Sequence, residues 1–124
     1  ELHPYAQVFF AAQHYLEECR PEIEAFLRAS FIGWRQAMQD RDEAARIVAR
    51  LAGEGADVDM ERRIIEAIDA HLAGPGGMSC FGVLDLERWE RNLKTYARFG
   101  IVPRQMTVKE TLDSSFLSAI YPDC

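Results

Sequence analysis

The sequence lacks any apolar run close to the roughly 20 residues that a helix needs to cross a bilayer, although 48% of its 124 residues are hydrophobic. It also lacks an excess of positive charge. Twenty acidic residues against 14 basic ones give a net charge of -6, and the arginines are interleaved with acids. No basic face is therefore available for phosphate contacts, and nucleic acid is not an expected partner. Cysteine is scarce: Cys19, Cys80 and Cys124 are odd in number and far apart, which gives neither metal-ligand spacing nor a disulfide framework. Two readings of them remain open, a single Cys19–Cys80 bridge in an oxidising compartment or buried free thiols.

Signatures of catalysis are missing as well. No serine sits in G-x-S-x-G, and Gly74-Pro-Gly-Gly77 has neither the preceding strand nor the Lys-Ser/Thr step of a phosphate loop. It reads as a loop or hinge. His3, His14 and His71 lie on three different elements without i,i+4 spacing, so no metal site is expected. Glu17, Glu18, Glu22 and Glu24 read as a solvated acidic helix start, because general acid–base work needs a carboxylate pair held in a cleft. These features predict a protein that is not an enzyme and needs no cofactor. The first residues show no initiator methionine and no charged start followed by an apolar core. A processed or truncated chain is the expectation.

What is present is mainly helical pattern. Tyr5–Ala11 (YAQVFFA) is the exception: aromatic and β-branched residues predict a strand, with Tyr5, Gln7 and Phe9 on one face and Ala6, Val8 and Phe10 on the other. No second strand is apparent to pair with it. A short helical turn over His14–Cys19 should end at the Arg20-Pro21 step, since the residue before proline is pushed out of the α region. Pro21 suits a first helical turn, and Glu22 and Glu24 complement the positive end of the helix dipole. Along that helix Ile23, Phe26, Leu27, Ser30, Phe31, Trp34, Ala37 and Met38 fall on one arc, with Glu24, Arg28, Arg35 and Gln39 opposite. Ile32 lies outside the arc, so this helix is expected to touch a second surface.

Asp40 with Glu43 three residues on predicts a cap and a second helix from about Arg41. Gly53-Glu-Gly55 ends it, and Asp57 or Asp59 caps a third helix to about Ala73, with Met60, Ile64, Ile65, Ile68, His71 and Leu72 as its stripe. Asp85 caps a fourth, with Leu86, Trp89, Leu93 and Tyr96 inward and Glu87–Arg91 and Glu90–Lys94 paired outward. Gly100-Ile101 is a left-handed stop reinforced by Pro103. Thr107–Glu110 is a capping box for a short helix, and Ser114–Tyr121 forms another ended by Pro122. Trp34 and Trp89 are read as core.

The order of these features resembles a known family. The run YLEECRPEIEAFLRASFIGWRQAMQDRDEAARIVARLA is similar to the C-terminal lobe region of ABC-transporter periplasmic solute-binding proteins of the thiamine-pyrimidine-precursor, taurine/alkanesulfonate and nitrate type. Tyr15, Leu16, Pro21, Glu22, Phe26, Leu27, Arg28, Ala29, Gly33, Trp34, Ala37, Asp40, Glu43, Ala44 and Ala45 match the family's pattern, and Leu86-Glu-Arg-Trp89 with Phe99-Gly-Ile-Val-Pro103 resembles its tail. Arg41 departs from the family's usual proline but leaves the Asp40 cap intact.

The resemblance implies a mainly α chain of about five helices plus one N-terminal strand, the C-terminal fragment of an α/β two-lobe periplasmic-binding-protein-like (type II) fold. Residues 1–12 would be a crossover strand segment and 13–124 a helical region of a solute-binding domain, with the N-terminal lobe absent from the chain. It implies a periplasmic or exported protein that captures a small solute between two lobes and presents it to an ABC permease in the membrane. Tyr5, at the strand head by the interlobe cleft, and Gln7 on the same face are the expected ligand-binding residues. Two alternatives stand beside it. One is an enzyme like the pyridoxal-phosphate-consuming thiamine-pyrimidine synthases, for whose cysteine-rich iron site Ser79-Cys80-Phe81 is only a remnant. The other is a helical dimerisation module that self-associates through the unpaired strand.

Overall fold

The computed structural model describes residue 5, residues 8–72 (without the side chains of 69–72) and residues 77–124. Among the described residues there are seven α-helices and no strand: α1 (Gln13–Glu18), α2 (Arg20–Gln39), α3 (Arg41–Ala52), α4 (Val58–Leu72), α5 (Leu86–Arg98), α6 (Val108–Thr111) and α7 (Ser115–Ile120), with a 3-10 turn at Gly77–Cys80 between α4 and α5. The mainly α expectation holds at this level. The expected strand does not: Tyr5 and Val8–Ala12 are irregular, and Phe10 is 94% exposed. Strand propensity expresses packing and ladder pairing more than an intrinsic backbone preference, and no other described segment is extended in a ladder to pair with this one. Ala6, Gln7 and His3 lie outside the described residues, as do Gly74, Pro75 and Gly76 of the expected hinge.

The chain divides into two compact units, one made of Glu1–Glu24 with Leu84–Cys124 and the other of Ala25–Val83. The Ala25–Val83 unit is built on a helical hairpin. Asp40 caps α3 as its spacing predicts, its Oδ1 accepting the Glu43 N–H at 3.0 Å, a contact of about 1 kcal/mol. The Glu43 carboxylate does not reach back; it accepts from Arg46 Nε at 2.9 Å. α3 stops at Gly53, whose φ of +88° suits a residue without a side chain. Asp57 then caps α4, accepting from the Asp59 and Met60 amides at 2.9 and 3.3 Å. Met38, Ala44, Ala45 and Ile65 form the core here, with Trp34, Ala37 and Met78 packed against it. The small alanines let α3 approach its neighbours closely, and Ala45 is fully buried.

A second apolar contact in this unit is aromatic. Phe31 meets Phe81 edge to face at 5.8 Å and 72°, and Trp34 lies 6.1 Å from Phe81. Gly82, with φ of +93°, passes so close that a Cβ there would come within 2.6 Å of the Phe31 ring. Two stripe residues expected inward are not buried: Met60 is 60% exposed and Ile64 is also exposed. Ile65, one position on, takes the inward direction on α4 instead, because helical residues 100° apart cannot all face one partner. Phe26 is likewise 56% exposed, whereas Leu27, Phe31 and Met38 on the same arc are buried.

The other unit follows its local signals closely. α1 ends at Glu18 with Cys19 as its C-cap, and Arg20, expected to be pushed out of the α region by Pro21, is instead the first residue of α2; the break falls one residue earlier, at Cys19, whose carbonyl accepts the Ile23 amide at 3.0 Å. Asp85 caps α5 through the Arg88 N–H at 3.0 Å. The outward pairs Glu87–Arg91 and Glu90–Lys94 form at 3.6 and 3.0 Å. α5 closes in a Schellman arrangement, with Ile101 N–H on the Tyr96 carbonyl and Gly100 N–H on that of Ala97 at 2.9 and 3.1 Å, Gly100 adopting φ of +66°. Leu93 is buried, Trp89 and Tyr96 are half-buried, and Leu86 is exposed, contrary to its inward expectation. As the first residue of α5 it precedes the turn that packs. Thr107 and Glu110 form the reciprocal capping box of α6.

Candidate functional site

The expected ligand residue Tyr5 is described and half-buried; Gln7 lies outside the described residues. Tyr5 is not on a strand. Its phenolic oxygen accepts the backbone N–H of Asp85 at 2.8 Å, the Arg88 guanidinium carbon lies 4.1 Å from its ring centroid, and the Trp89 ring lies at 6.0 Å and 31°. Asp85, Arg88 and Trp89 occupy positions i, i+3 and i+4, so the start of α5 turns all three to one helix face. The indole N–H of Trp89 donates to Thr111 Oγ1 at 2.9 Å, which ties α6 to this face. Trp89, expected in the core, is thus half-buried with its polar edge used and its ring shared with Tyr5. Arg88 was not singled out by the sequence reading, and its i+3 spacing from the Asp85 cap is the signal that marks it.

The Ala25–Val83 unit carries a shallow, open depression of about 470 Å³ lined by Met38, Gln39, Asp40, Arg41, Asp42, Arg62 and Glu66. Several of its charges engage one another or a helix end. Arg62 pairs with Glu66 at 2.7 Å and approaches Asp42 at 3.8 Å, and Asp40 is committed to its cap. Being open to water, these pairs contribute little stability.

Among the described residues no three His, Cys, Asp or Glu side chains gather as a metal-binding group. Cys19 is a free, half-buried thiol, so the Cys19–Cys80 bridge is not formed. The side chain of His71 and all of His3 lie outside the described residues. Two carboxyls with displaced pKa values sit at helix starts. The Glu110 carboxyl is lowered from 4.5 to about 2 by its hydrogen bond from Arg104, then by those from the Thr107 amide and hydroxyl. Asp113 is lowered by the Ser115 hydroxyl, with the Ser115 amide and the Arg20 charge assisting against the opposing effect of burial. Displacement of pKa marks a functional site when it combines desolvation with a specific partner in a cleft. Here the cause is exposed local pairing, which is structural.

No helix among the described residues is long and apolar enough to cross a membrane. The chain matches no protein-family model, and no curated protein or solved structure matches it.

Proposed function

We propose that the chain forms the helical part of a solute-binding protein, a non-enzymatic component of an ABC importer. It would work outside the cytoplasm, capturing a small molecule such as a thiamine pyrimidine precursor or a sulfonate between two lobes and presenting it to a membrane permease. The observation that carries the reading is the run from Tyr15 to Ala45. Some of the residues in it that resemble the family's pattern also carry local structure: Pro21 sits in the first turn of α2, Asp40 caps α3, and Leu27, Ala44 and Ala45 are buried.

Calorimetric titration of the full-length protein with an aminopyrimidine, an alkanesulfonate and nitrate is the test. Saturable binding of one class at one molecule per chain, with the others silent, is the expected result. Absence of heat from all three, in protein with an intact helical circular dichroism signal, removes the proposal.

A further inference from the structure

We propose that the C-terminal end of α5 and the turn after it form a peripheral docking surface for an anionic phospholipid membrane. The interleaving of acids and bases along the chain has one exception. Residues 91–109 contain Arg91, Lys94, Arg98, Arg104 and Lys109 and none of the 20 acidic residues. Arg91, Lys94 and Arg98 stand at i, i+3 and i+7 of α5, so one helix face carries all three. Arg91, Lys94 and Arg104 are answered by Glu87, Glu90 and Glu110, which flank the segment. Among the described residues Arg98 and Lys109 meet no carboxylate, and both are exposed. The helix dipole accounts for a base in the last turn of α5. It does not account for the apolar residues beside that base.

Phe99 and Ile101 flank Gly100 in the turn that closes α5, and they are 71% and 64% exposed. In a Schellman turn the residue after the glycine ordinarily packs on the helix one turn back. Here the Ile101 N–H donates to the Tyr96 carbonyl while most of the Ile101 side chain stays uncovered. The Arg98 guanidinium carbon lies 5.8 Å from the Phe99 ring centroid, so charge and apolar surface adjoin. Two apolar side chains fall far short of the roughly 800 Å² per partner that a stable protein interface buries. A lipid surface asks for less: an aromatic ring at headgroup level and a few bases, each of which strengthens partition onto an anionic leaflet about fivefold. Screening confines that attraction to about 10 Å. The unanswered bases near the turn therefore count for more than acids elsewhere on a chain of net charge -6.

This inference goes beyond the solute-binding reading and stands without it, because vesicle binding is measured with no solute present. The test is co-sedimentation of the full chain with phosphatidylcholine vesicles, with and without phosphatidylglycerol. Binding to the phosphatidylglycerol vesicles alone is expected, and high salt should reverse it. Arg98→Gln combined with Lys109→Gln should weaken it about 25-fold, and Phe99→Ser combined with Ile101→Ser about tenfold, with circular dichroism checking that each variant is folded. No binding to the anionic vesicles, equal binding to both kinds, or binding that both double variants leave unchanged overturns the proposal. Binding of polyglutamate through these residues in place of vesicles equally overturns it, and makes the partner an acidic protein. Should a double variant fail to fold, Phe99→Trp decides: brominated phosphatidylglycerol vesicles should quench the added indole, and unquenched fluorescence removes the proposal.

Discussion

Helices that follow one another in sequence hold the Ala25–Val83 unit together through apolar contacts, whereas the unit made of Glu1–Glu24 and Leu84–Cys124 adds to its buried Leu93, Phe116 and Ile120 polar and cation–π ties between residues far apart in the chain. In the first, Met38, Ala44, Ala45 and Ile65 pack within a span of 28 residues, and Phe31, Trp34 and Phe81 add an aromatic cluster. In the second, Arg20 donates to Ser115 at 3.0 Å across 95 residues and lies 4.2 Å from the Phe116 ring, while Tyr5 accepts from Asp85 across 80. A continuous stretch can find its partners by local collapse, which is non-directional. A unit assembled from two distant segments must also choose a register, and directional hydrogen bonds and guanidinium–ring contacts discriminate between registers where apolar contact alone does not.

That contrast is open to direct attack. Phe31→Ala removes a ring that is 4% exposed and should cost about 3–5 kcal/mol in urea unfolding; a loss below about 1 kcal/mol would show that the aromatic cluster is not what holds its unit. Gly82→Ala adds a Cβ at φ of +93° and within 2.6 Å of the Phe31 ring, so a loss of about 2–4 kcal/mol is expected from the backbone conformation and the displaced ring together. Combining it with Phe31→Ala should recover part of that loss, because the obstructing ring is gone; strict additivity in the double-mutant cycle would exclude the close approach as its cause.

Smaller effects are expected from the polar ties. Arg20→Ala loses the Ser115 hydrogen bond, the Glu24 pair at 2.9 Å and the Phe116 contact, for about 1 kcal/mol. A loss as large as that of Phe31→Ala would erase the distinction between the two units. The smallest effect is a pH dependence. Glu110, lowered to about 2 by Arg104 and Thr107, binds its proton less readily folded than unfolded, so its contribution is fully present above its ordinary value near 4.5 and is lost as pH falls towards about 2. Titration of the Glu110 side-chain carbon signal should give that low midpoint, and Arg104→Gln should move it upward. A midpoint unchanged by that substitution would assign the lowering to the capping box alone.

Much of the helical layout was legible before any coordinates. Asp40, Asp85 and Thr107 announced three helix starts, and Gly53 and Gly100 two stops, because caps are set by residues within four positions of one another. The strand over Tyr5–Ala11 was misread for the converse reason. Its composition was right for a strand, but a ladder needs a partner, and the partner is a non-local condition. Inward stripes were half right: Leu27, Phe31, Met38, Ile65 and Leu93 are buried, whereas Phe26, Met60, Ile64 and Leu86 are exposed. Periodicity shows which residues share a face but not how wide a strip the neighbours cover.

The site followed the same division. Tyr5 was singled out as an aromatic at a segment's head, and Asp85 and Trp89 were recognised as a cap and an inward aromatic, each from its own neighbourhood. Nothing in the sequence joined them, since the Tyr5–Asp85 hydrogen bond spans 80 residues. By itself the sequence determined where the helices begin and end, which rests on hydrogen bonds and dihedral limits satisfied within a single turn. Only the tertiary structure decided which apolar side chains are covered, that Tyr5 spends its phenolic oxygen on the Asp85 amide, and that Arg20 reaches Ser115 and Phe116. Those outcomes depend on contacts between segments whose separation in the chain leaves no periodic or local trace.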